Sequence, residues 1–144
     1  MKVQNYKNHR KYVFLYHGIT FTLILILLVS SVYYTIRASN SGDSLKPGLF
    51  LFIVSVVLFF LFIFARQFAL KAQDRAIRAE ENFRHYLLTG KPLDSKLTIR
   101  QIIGLRFASD EEFPELAKKA VADNLSEEDI KKAVKNWRAD FYRV

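Results

Sequence analysis

The chain has 144 residues, 51% of them hydrophobic and 15% aromatic, with a formal net charge of +8 and no cysteine. The lack of cysteine excludes disulfide frameworks, thiolate zinc sites and cysteine nucleophiles. The mean hydropathy of +0.05 averages two unlike parts, because the apolar residues concentrate between Val13 and Leu70 and the rest is polar and charged.

The charge is also local. Residues 1–12 carry +4 from Lys2, Lys7, Arg10 and Lys11, and residues 66–88 carry +2, while residues 89–144 carry only +1. Positive charge beside apolar segments sets membrane topology and meets anionic headgroups. The near-neutral C-terminal part argues against nucleic-acid binding.

After the basic N-terminus (1–12) comes an apolar run from Val13 to Ile36, interrupted by no charge if His17 is neutral. A membrane-crossing helix needs about 20 mainly apolar residues. The run is too long for a signal-peptide core, and Tyr33, Tyr34 and Ile36 are bulky where a cleavage site needs small residues, so the segment is expected to be retained. A loop, 37–47, rich in Ser, Asn and Gly, leads to a second run, 48–65, in which all but Gly48, Ser55 and Ala65 are Leu, Ile, Val or Phe. A short loop forces antiparallel neighbours. The basic residues then place both termini inside, with Tyr12, Tyr16, Tyr33 and Tyr34 as interfacial anchors.

Residues 66–88 contain no Pro or Gly and read as a helical stalk continuing the second span, about 35 Å long at 1.5 Å per residue. Asp74 with Arg78, and Glu80 with Arg84, are spaced for i,i+4 ion pairs. Ala65, Ala69, Ala72, Ala76, Ala79, Phe83 and Tyr86 follow a heptad period, which predicts a helix-contact seam. Either the seam meets another helix, or alanine is there as a helix former and the seam packs on the chain's own tail.

Three short helices are expected in the tail, 89–144. Their start signals are Thr98 with Gln101, Ser109 with Glu112, and Ser126 with Asp129. Leu116, Val121, Ile130, Val134, Trp137 and Phe141 fall at helical spacing and form the expected tail core or docking face. A 56-residue tail is marginal alone. It is expected to lean on the stalk near Phe83 and Leu87, on a second copy, or on a partner. The fold class is therefore an all-α membrane protein, a 13–65 hairpin with stalk and small three-helix tail.

Candidate chemistry is sparse. His85 shares a face with Glu81 but lacks further metal-ligand partners. His17 reads as an interfacial anchor. Asp110, Glu111, Glu112 and Glu115 suit a helix N-terminus. No phosphate loop, nucleophile elbow or His-Glu-x-x-His motif is present, so no enzyme activity, cofactor, metal or small-molecule substrate is expected. The loop lacks the length and sequence of an ion filter.

The stretch Gln73–Asp94, the phrase Arg106–Phe113 and the ending Lys135–Val144 together resemble a family of small bacterial two-span membrane proteins that is itself of unknown function. The resemblance covers nearly the whole chain and implies a bacterial cell-membrane location with the hairpin-plus-tail layout. It implies no activity, ligand or catalytic residue. The expected role is a membrane-anchored accessory or scaffold protein, set in the lipid bilayer, that docks a protein partner or another copy through stalk and tail. The alternative is a self-assembling transporter or pore.

Overall fold

The computed structural model describes residues 4–9 and 11–142. Lys2 and Arg10 of the basic N-terminus, and Arg143 and Val144 of the ending, lie outside the described residues. Among the described residues the fold is all-α, with five α-helices, and the chain divides into two compact units: Tyr12–Ala69, and Met1–Lys11 together with Leu70–Val144. One helix, α2, contributes to both.

In the first unit a π-helical stretch, Phe14–Thr20, runs into α1 (Phe21–Ser41), and α2 (Lys46–Thr89) follows. The expected 37–47 loop shrinks to residues 42–45. Nothing in Arg37–Ser41 breaks a helix until Gly42, whose φ of 74° is a left-handed conformation that suits glycine. The Gly42 and Asp43 N–H groups both donate to the Ala38 carbonyl, closing the helix end. Pro47 lies in the first turn of α2, where its missing N–H costs nothing.

The two long helices pack together through small residues seven apart. Ile24, Ser31 and Ala38 are buried on α1, and Gly48 and Ser55 on α2, with Phe62 half-buried one heptad further on. The Ser31 and Ser55 hydroxyls satisfy themselves within their own helices, each donating over 2.7 Å to the carbonyls of Leu28 and Phe52. Tyr16 stacks on Phe62, with centroids 4.2 Å apart, and its hydroxyl donates to the Phe62 carbonyl. The outer faces are apolar and uncovered. Both helices are long and apolar enough to cross a membrane, and only 11% of each apolar window is buried within the chain.

The second unit is built from the last turns of α2 and three short helices: α3 (Ile99–Leu105), α4 (Phe113–Ala122) and α5 (Glu127–Ala133). Gly90, at φ 72°, ends α2. Thr98 forms the expected capping box with Gln101, and Ser126 accepts from the Asp129 N–H. Of the box expected at Ser109 only the return bond forms, the Ser109 N–H donating to the Glu112 carboxylate at 3.4 Å. Helix α4 nevertheless starts only at Phe113, and the Glu112 carboxylate also accepts from the backbone N–H groups of Lys135 and Asn136 at 3.2 and 3.0 Å. That same attachment explains a second difference. The apolar positions Ile130 to Phe141 read as one helix, yet α5 ends at Ala133 and the chain continues extended. Trp137 then pairs with Ala108 in a β-bridge, and Arg138 donates to the Phe107 carbonyl at 2.8 Å.

The core joins Ile77 of α2 to Leu97, Ile102, Ile103, Leu105, Phe113 and the inner faces of α4 and α5. Gly104 lets α3 cross α5 closely, since a Cβ there would lie 3.1 Å from the Glu127 carbonyl oxygen. Gln101 is buried, and its amide donates to the Ala120 and Leu125 carbonyls at 3.2 and 3.0 Å, tying α3 to the end of α4 and the turn before α5.

The long-helix contact has a direct test. A Cβ on Gly48 would collide with the Thr35 hydroxyl and lie 3.1 Å from the Thr35 Cα. Gly48→Leu is expected to cost about 1–3 kcal/mol by overpacking. A lowered melting temperature of the full chain in detergent checks it, and an unchanged one counts against the packing.

Candidate docking surface

Within the second unit, α2 presents three faces set by its 3.6-residue period. The first carries Ile77, Glu81 and Arg84 and is the face that the tail covers. Ile77 is 6% exposed and Glu81 5% exposed. Arg84 organises this contact: it donates to Glu81 (2.9 Å), to Asp110 (2.7 Å) and to the Ala108 carbonyl (2.7 Å), and its guanidinium lies 4.5 Å from the Phe113 ring centroid. Arg138 approaches the other Glu81 oxygen at 3.6 Å.

This arrangement corrects three sequence expectations. The i,i+4 pair of Glu80 with Arg84 is replaced by Glu81 and Asp110, because the tail brings the Asp110 carboxylate and the Ala108 carbonyl within 2.7 Å of Arg84. No ion pair joins Asp74 to Arg78 among the described residues. The tail also does not lean on Phe83 and Leu87, which are 62% and 68% exposed: about the helix axis Phe83 is turned roughly 120° from Ile77, and Leu87, roughly 80° away, stays beyond the edge of the covered face.

The second face is the heptad seam. Ala65, Ala72, Ala76, Ala79, Phe83 and Tyr86 are exposed, and Ala69 is half-buried. The seam is therefore not the surface on which the tail packs. The third face carries Lys71, Arg75, Arg78 and Asn82, spaced 4, 3 and 4.

The tail residues singled out from sequence divide. Leu116, Ile130 and Val134 are buried in the core, with Val121 and Trp137 half-buried against it. Phe141 is 62% exposed and takes no part in the core, because the chain is no longer helical there. His85 does not face a metal partner: its Nδ1 lies 2.8 Å from the Lys91 carbonyl, and its ring edges against Phe113. No metal-binding group of three acidic or histidine residues occurs among the described residues.

Sequence reasoning missed the N-terminal segment as part of the tail. The Gln4 side chain accepts from the Asp140 N–H at 2.8 Å and donates to the Asp140 carbonyl at 3.4 Å. The His9 ring lies 5.9 Å from both Phe107 and Trp137, and Lys132 lies 5.7 Å from the Tyr6 ring. Arg106, 7% exposed, pairs with Asp140 at 3.4 Å and covers the Phe107 ring. The only sequence signal was Tyr6 and His9 in an otherwise polar segment.

Burial pushes the Glu81 carboxyl above its ordinary 4.5, and the Arg84 hydrogen bond and the charges of Arg84 and Arg138 only partly offset it. The folded chain thus binds this proton more tightly than the unfolded chain. The stability it contributes is full below about pH 4.5 and is lost as pH rises through the folded-state value. Glu81→Gln is expected to remove that decline, so its melting temperature gains on the wild type as pH rises from about 4.5. Parallel melting curves against pH would contradict this.

Trp137→Ala is expected to destabilise the tail by about 3 kcal/mol, freeing its backbone from Ala108 and removing the ring from Phe107. The readout is protease resistance of the tail, and an undiminished resistance would place Trp137 outside the fold's support.

A family model described as a family of unknown function, DUF6526, matches residues 1–144. No curated protein matches, and no solved structure matches.

Proposed function

We propose, for a chain that belongs to DUF6526, a non-enzymatic accessory or scaffold role at a membrane. The hairpin of α1 and α2 anchors the protein in the bilayer, and the exposed face of α2 docks a partner protein or another copy. The observation that carries this reading is the seam: Ala72, Ala76, Ala79 and Phe83 keep a heptad period and remain uncovered while the tail occupies a different face. Small residues at that period let a second helix approach closely.

The membrane reading rests on two supports. Each long helix leaves nearly all of its apolar window uncovered, which a core helix of a soluble domain does not do. The N-terminal segment and the tail also belong to one folded unit, so they lie on one side of any bilayer the hairpin crosses. The positive residues flanking the spans assign that side to the cytoplasm, and the bacterial cell membrane is the location we infer.

Self-assembly into a pore has less support. The hydroxyls of Thr20, Ser31, Thr35 and Ser55 all donate to carbonyls of their own helices, which leaves few polar groups to line a channel.

The test is a pull-down of the tagged full chain from native membranes in mild detergent, with Ala72→Leu/Ala76→Leu as the comparison. A near-stoichiometric partner that the variant loses supports docking through the seam. Recovery of the chain alone at more than monomer size, lost in the same variant, makes the partner a second copy. Capture that the variant leaves unaffected refutes the seam.

A further inference from the structure

The third face of α2 borders a groove of about 360 Å³, at the lower end of the roughly 300–1,000 Å³ of small-ligand sites. Arg75, Arg78 and Asn82 line it from α2, together with Ala79 at the edge of the seam, and Asp94 and Ser95 from the segment that follows, with Ile102 among its apolar lining. Every one of these residues belongs to the second unit.

The two arginines distinguish this groove from the rest of that unit. Arg84, Arg100, Arg106 and Arg138 each hold a carboxylate within 3.6 Å. Arg75 and Arg78 hold none among the described residues, although Asp74 is one turn from Arg78. Lys71 precedes them on the same face. Spaced three apart on a helix, two guanidiniums present neighbouring forks, the geometry that suits a tetrahedral phosphate.

The remaining polar groups indicate more than a bare anion. The Asn82 Oδ1 is committed to the Leu93 N–H at 2.9 Å, which leaves the amide NH2 as a donor. Asp94 uses one carboxylate oxygen for the Lys96 N–H at 2.9 Å. Its other oxygen would repel a phosphate placed against it but accept from a hydroxyl. Ser95 supplies either role. A ligand matched to this set has phosphate at the arginines and a free hydroxyl at the Asp94 end.

We propose that the groove between Arg75, Arg78 and the Asp94–Ser95 segment binds a phosphate ester that carries a free hydroxyl, of the phosphoglycerol kind. Such a group is carried by an anionic phospholipid headgroup and by soluble glycerol phosphate. The positive stripe from Lys71 to Arg78 follows directly on an apolar segment, where anionic lipid is attracted.

The experiment titrates the full chain in non-ionic detergent with phosphatidylglycerol, phosphatidylcholine, phosphatidic acid and glycerol 3-phosphate, reading bound mass by native mass spectrometry. Phosphatidylglycerol is expected to bind about tenfold or more tightly than phosphatidylcholine, which has no free hydroxyl and is neutral. Arg75→Gln/Arg78→Gln should abolish that preference, while the charge-matched Arg37→Gln/Lys118→Gln should keep it. Asp94→Asn should narrow the margin over phosphatidic acid. Binding of glycerol 3-phosphate alone identifies a soluble ligand, and its failure beside retained phosphatidylglycerol binding identifies the lipid. Equal affinity of the wild type for phosphatidylglycerol and phosphatidylcholine, with no binding of glycerol 3-phosphate, overturns the proposal without any variant. So does undiminished binding by a double-arginine variant whose Trp137 fluorescence melt is normal.

Discussion

The second unit depends on one side chain, Arg84. Its three hydrogen bonds reach a carboxylate on its own helix, a carboxylate before α4 and a main-chain carbonyl, while its flat face covers Phe113. A guanidinium can satisfy all four at once because its donors fan out in one plane. This fixes both the distance and the rotation of the tail about α2. Once the tail is turned to meet Ile77, Glu81 and Arg84, the alanine seam and the basic stripe have to face elsewhere. The free surfaces of α2 are thus consequences of where Arg84 is satisfied.

A buried Arg–Glu contact is not in itself a source of stability, since desolvation offsets much of the attraction. Its value here is orientation. Apolar packing of Ile77 against Leu97 and Ile102 would tolerate several rotations of α2. The Arg84 contacts single out one, and Arg138 approaches Glu81 from the chain's end to complete it. Glu112 acts similarly at the opposite corner, where its carboxylate takes two backbone N–H groups and stops α5 from extending.

Much of this was legible from residues alone, and the reason is period. Two apolar runs with a glycine between them, heptads of small residues, and the Thr98 and Ser126 caps are local signals, and the helices appear where those signals lie. The misreadings share a cause as well. Glu80 with Arg84 and the helical phase of Trp137 and Phe141 are local patterns overridden by a partner distant in sequence: Asp110 for Arg84, Ala108 for Trp137. The N-terminal segment was illegible for the same reason. Gln4 lies 136 residues from Asp140, and no periodicity announces a side chain that mimics a strand.

That last contact bears on the proposed placement in a bilayer. A chain whose residues 4–9 pack on residues 107–140 cannot have those segments on opposite sides of a membrane. On the proposed membrane reading, with two helices long enough to cross, a crossing by one of them alone does not fit, whereas a crossing by both brings the chain back to the side it left. A single crossing would require the tail to unfold from its N-terminal partner and expose Phe107 and Trp137. The folded unit therefore agrees with the proposed topology, which the flanking lysines and arginines favour electrostatically, by a route that does not depend on charge.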